Sequence, residues 1–143
     1  MKIALLTVGA CLALTACESA DARDTSDAAK AVLTCADKAQ KAELPQGFPA
    51  AFPLPPNTVV IGSERRSEGR VIVTAVSSDP EKDVLSFLQN ELPKAGYVLS
   101  NGEVESGDAE SDWSAAGWRG RWAIREIPRC DKDTVITVLA APA

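Results

Sequence analysis

Residues 118–127 read Trp-Arg-Gly-Arg-Trp-Ala-Ile-Arg-Glu-Ile, and their alternation sets the expectation for the rest of the chain. On a β-strand, successive side chains point to opposite faces. Trp118, Gly120, Trp122 and Ile124 therefore share one face. Arg119, Arg121 and Arg125 share the other, with Ala123 and Ile127 among them. Gly120 leaves a gap between two indoles that a neighbouring chain or side chain can fill. After the polar turn Arg129–Asp133 comes a second apolar run, Thr134–Ala140, so the two runs predict a hairpin.

Working outward, Thr58–Ile61 and Arg70–Val76 read as two further strands, parted by Gly62 and a polar loop ending at Gly69. Both faces of the second are apolar, as befits an interior strand. Asp79-Pro80 predicts a helix start, with Asp79 as cap and Pro80 at the first helical position. Val84, Leu85, Leu88 and Leu92 form its buried stripe, Phe87 lies at the edge, and Pro93 and Gly96 stop it. Tyr97–Leu99 is a short strand; Asn101-Gly102 predicts a hairpin turn because both residues tolerate positive φ. Glu103–Glu105 would return from that turn, and the acidic stretch Ser106–Ala116 reads as a loop or one irregular turn.

Upstream, Ala28, Val32, Cys35, Ala39 and Ala42 recur at spacings of four and three, predicting a helix with a narrow, alanine-rich face. Residues 45–56 then hold five of the nine prolines, with Phe48, Phe52 and Leu54 between them. Such a segment is neither helix interior nor central strand. It reads as a wrap that buries its own phenylalanines, the other reading being a polyproline binding strip. The order α, β, β, α, β, β, β, β predicts a single small α+β domain over residues 28–143. Its sheet is mainly antiparallel, with helices packed on one side.

The N-terminus carries a different kind of signal. Met1-Lys2 is followed by Ile3–Leu14, twelve uncharged residues, too few for a permanent membrane span of roughly 20. Residues 1–16 read as a signal peptide. The segment Leu14-Thr15-Ala16-Cys17 resembles the lipobox of bacterial lipoproteins. That resemblance implies a diacylglyceryl group on the Cys17 thiol and cleavage just before it. Several acyl chains anchor far more firmly than one. The alternative is an ordinary secretory signal cut nearby, such as after Ala20. Residues 17–27 (Cys-Glu-Ser-Ala-Asp-Ala-Arg-Asp-Thr-Ser-Asp) then form a lipidated flexible tether. By analogy with enterobacterial lipoproteins, Glu18 after the cysteine slightly favours the outer membrane over the inner. Beyond the lipobox the body resembles small envelope lipoproteins only loosely, and that likeness supplies no functional residues.

With Cys11 in the signal peptide and Cys17 carrying lipid, Cys35 and Cys130 remain. In an oxidising compartment two thiols read as a disulfide; free thiols or a transient metal pair are the alternatives. There is no histidine to complete a mixed zinc site or to serve the usual Ser/His/Asp and Cys/His arrangements, so neither metal, cofactor nor enzymatic activity is expected. The net charge of −5 becomes more negative once Lys2 is lost, which disfavours nucleic acid. The expected partners are the membrane, through the lipid anchor, and another envelope protein or cell-wall polymer. Trp118, Trp122, Arg119, Arg121 and Arg125 are the candidate binding surface. The competing expectation places the indoles in the core and pairs the arginines with Glu103, Glu105, Asp108, Glu110 and Asp112. A cleft lined by Trp118 or Trp122 that takes a small ligand is the alternative function.

Overall fold

The computed structural model of the chain describes residues 34–143. The expected signal peptide, Cys17, the expected tether and the first turns of the predicted N-terminal helix lie outside the described residues. In chain order the elements are β1 (Thr58–Arg65), β2 (Val71–Ser77), α1 (Glu81–Lys94), β3 (Val98–Glu105), β4 (Asp108–Ala115), β5 (Trp118–Glu126) and β6 (Thr134–Pro142). They build one six-stranded sheet in the order β1-β2-β6-β5-β4-β3. Every neighbouring pair is antiparallel. The helix α1 carries the chain from β2 to the far edge, and the meander β3 to β6 walks back until β6 pairs with β2. Among the described residues no helix is long and apolar enough to cross a membrane.

One face of the sheet is covered. Val84, Leu88 and Leu92 of α1 are buried, one helical turn apart, and meet Val73, Trp122, Ile124, Ile136 and Val138 in one core. Leu85 and Phe87 pack against its margin. The proline segment covers the rest of that face. Phe48 and Phe52 are buried, and Phe52 lies 5.4 Å, ring centre to ring centre, from both Tyr97 and Trp113. Fixed φ angles let this segment run over the core without needing sheet partners. A second, smaller cluster on the opposite face joins Val76, Ile127 and Val135, with Ala36, Ile61 and Cys130 against it. The Cys35–Cys130 disulfide closes that corner across a sequence separation of 95 residues.

Several sequence expectations are corrected. From Thr34 to Leu44 the chain forms only a short 3-10 turn, Ala36–Lys38, and Ala39 is already extended. The Ala42 N–H donates to the Val60 carbonyl at 2.7 Å, so this stretch runs beside β1 instead of coiling. A narrow alanine face buries too little to stabilise a helix unaided, and the disulfide holds the chain in the extended alternative. The domain therefore has one α-helix among the described residues, and "α+β" holds only in the coarse sense of an antiparallel sheet with a helix on one side.

At the start of α1, Pro80 occupies the cap position with extended ψ, and no side chain caps the helix. The Asp79 carboxylate instead accepts the Asn57 amide at 2.9 Å. A residue before proline is held extended, which turns Asp79 away from the helix's free N–H groups. Asn101-Gly102 is not a hairpin turn either. Strand β3 continues through it, and the register slips between Ser100 and Glu103. Two residues of β3 oppose the single Ser111 of β4, a bulge, with Asn101 at φ 47°. The reversal comes later, at Gly107 (φ 79°). The stretch read as a loop holds β4, whose Ala109, Ser111 and Trp113 face the core.

Candidate functional site

Alternation along β5 divides the candidate residues between the two faces. Trp122 is 1 % exposed and belongs to the core; Trp118 is half-buried at the core's margin. Gly120 lies opposite Trp113 of β4, whose indole fills the predicted gap. Trp113 and Trp122 both leave their indole N–H groups buried without a hydrogen-bond partner among the described residues. An unmade hydrogen bond costs about 1–3 kcal/mol. Burying 150–250 Å² of ring is worth about 4–6 kcal/mol, so bulk outweighs the orphaned donor and the indoles serve as packing.

The arginines occupy the opposite, open face. Residues directly opposed across the strands share that face. One row is Ile72, Leu139, Arg121, Asp112 and Ser100; the next is Thr74, Thr137, Ala123, Glu110 and Glu103. Arg121 bridges two carboxylates of β4. Its Nε donates to Asp112 Oδ1 at 2.7 Å, and Nη1 donates to Glu110 Oε1 at 2.8 Å. Asn101, projected by the bulge, donates to the second Asp112 oxygen at 3.2 Å. Arg125 Nε donates to Asp108 Oδ2 at 2.8 Å. Arg119 forms no ion pair among the described residues.

This ladder fixes charge states. The Arg121 hydrogen bond, followed by that from Asn101, lowers the Asp112 carboxyl below its ordinary range. Asp112 in turn raises the Arg121 guanidinium. A carboxylate held ionised this way is a counter-ion and not a proton donor at neutral pH. Each exposed pair contributes little to stability, but a run of cross-strand pairs presents a flat surface with side chains held in register.

Concavities adjoin these faces, and two of them bear on the candidate residues. A cleft of about 250 Å³ lies between Gln89 of α1 and the β3 bulge, with Leu99, Val104, Ser111 and Trp122 among its walls. A larger groove of about 680 Å³ runs along the disulfide corner, between Cys35–Lys38, Pro56–Val59 and the loop Arg129–Asp133. At its floor Asp133 is 8 % exposed. Its Oδ2 accepts the Ala36 N–H at 2.7 Å. The ligand atoms of Cys35, Cys130 and Asp133 all lie within 4.8 Å of one another. Sequence reasoning paired the two cysteines but passed over Asp133. The only trace of it is the spacing Cys130-Asp131-Lys132-Asp133.

Compared with known proteins, the chain matches no family model, no curated protein and no solved structure.

Proposed function

We propose that the protein is a bacterial envelope lipoprotein held at a membrane by lipid on Cys17. Its disulfide-stapled domain acts without catalysis, by contacting another envelope protein or the cell wall. The observation that carries the contact reading is the unequal covering of the sheet's two faces. Helix and proline segment occupy one face, while the other, covered at its disulfide corner, offers Arg119, unpaired among the described residues, the Arg121 ladder and the half-buried Ile72 and Leu139. Flat surfaces that mix arginine with apolar side chains are suited to protein contact. The lipobox supports the anchor, and a disulfide fits an oxidising compartment outside the cytoplasm.

The small-ligand reading has a specific place, the cleft beside Trp122. At about 250 Å³ that cleft is below the roughly 300–1,000 Å³ of typical ligand sites. The indole N–H of Trp122 is also shut away from solvent, so contact through the open face is the stronger reading. The test is photo-crosslinking in cells from position 119, with Lys82 on the exposed side of α1 as control. A discrete adduct from 119 that is absent from 82, and lost on Leu139→Glu, is expected. Identical adducts from both positions, or none from 119, would reject the open face as the contact surface.

A further inference from the structure

We propose that reduction of the Cys35–Cys130 bridge converts the disulfide corner into a site for a thiophilic divalent cation such as Zn²⁺. Its ligands are Cys35, Cys130 and Asp133. The bridge is then a gate: closed, it staples the domain; opened, it exposes two thiols beside a carboxylate already in place. A dithiol reductant supplies two electrons and two protons and leaves as its own disulfide. Both protons are released when the cation binds the two sulfurs as thiolates.

The geometry needs little change. The three ligand atoms lie within 4.8 Å of one another and the cysteine Cα atoms are 5.5 Å apart. In a tetrahedral zinc site with metal–sulfur bonds of about 2.3 Å the sulfurs sit about 3.8 Å apart. Side-chain rotation reaches that separation without moving the backbone. Asp133 is the unusual member. It is buried, and among the described residues its carboxylate has no ion-pair partner and accepts one hydrogen bond, from the Ala36 N–H to Oδ2. A buried carboxylate without a cation is costly, and the backbone N–H orients it as outer partners orient metal ligands.

The loop that carries two of the ligands keeps its shape apart from the bridge. The Ile127 N–H donates to the Asp133 carbonyl at 2.9 Å, and the Cys130 N–H donates to the Ile127 carbonyl at 3.2 Å. Packing of Ala36 against Val76, Ile127 and Val135 keeps the Cys35 side nearby after reduction. Three protein ligands leave a fourth position facing the 680 Å³ groove, open to water or a partner's donor.

The test uses the full-length chain in detergent with Cys11→Ser and Cys17→Ser, so that Cys35 and Cys130 are the only thiols. The chain is titrated with Cd²⁺, read by thiolate charge-transfer absorbance, and with Zn²⁺ against a chelator. One cation per reduced chain, no binding to the bridged chain, and binding at least about tenfold weaker for Asp133→Asn are expected. If the reduced chain loses its circular-dichroism spectrum and the metal restores it, the site is supported. Where the spectrum is lost on reduction, metal bound without its recovery overturns the proposal. So does equal affinity in Asp133→Asn, or binding by the bridged chain.

Discussion

Replacing Gly120 by alanine tests the packing that separates the two faces. A Cβ at 120 would fall on the backbone carbonyl of Leu139 and lie 2.6 Å from Trp113 Cζ2. Contacts below 3.0 Å are essentially never seen for real Cβ atoms, so something must move. Leu139 belongs to the central strand β6, and Trp113 is 2 % exposed with Phe52 and Tyr97 against it. Neither yields cheaply. Overpacking of a core costs about 1–3 kcal/mol and occasionally more. Displacing a strand as well as an indole puts Gly120→Ala at about 3 kcal/mol or above. For a domain of this size that lowers Tm by about 10 °C or more. Urea denaturation followed by near-ultraviolet circular dichroism, which reads the buried indoles, measures it. Gly62→Ala is the control, since nothing lies within 4 Å of its added Cβ; a change within about 0.5 kcal/mol is expected there. A Gly120→Ala chain as stable as the wild type would refute the close approach of Trp113 and β6.

Removing the bridge with Cys35→Ser and Cys130→Ser together should cost about 4–5 kcal/mol, from the closure entropy of a loop of 95 residues; urea midpoints check it. Arg121→Gln should raise the Asp112 carboxyl back toward its ordinary range, observable by NMR titration. Because the folded carboxyl is lowered, its stabilising effect is present above the ordinary carboxylate pKa and is lost as pH falls through the folded value. The stability gap between wild type and Arg121→Gln should therefore close on acidification and not on raising pH. Asn101→Ala should cost about 1 kcal/mol or more, since Asn101 holds φ 47° where alanine is strained, while Asn101→Gly should cost less in thermal denaturation.

What the sequence disclosed followed the strength of its side-chain pattern. Strands β2, β5 and β6 and the helix α1 alternate large apolar residues at clear periods, and they form where expected. Strand β4 was hidden because its inward positions include Ala109 and Ser111, too small to stand out among Asp108, Glu110 and Asp112. Asn101-Gly102 announces positive φ, and a bulge needs that as much as a hairpin does; only pairing with Ser111 decides between them. The alanine periodicity around Cys35 describes a helix that local propensity favours, but from Thr34 onward tertiary contacts replace it. At the candidate surface, alternation placed the arginines opposite the indoles, and Asp108, Glu110 and Asp112 supply partners for Arg121 and Arg125. Nothing local revealed Asp133, whose role rests on a contact with Ala36, distant in sequence.

The lipid proposed on Cys17 is tested by metabolic labelling with an alkyne fatty acid. The wild-type chain should take up label and sediment with membranes, while Cys17→Ser should carry none and fractionate with soluble proteins. Label persisting on Cys17→Ser, or a wild-type chain that takes up none, would contradict it.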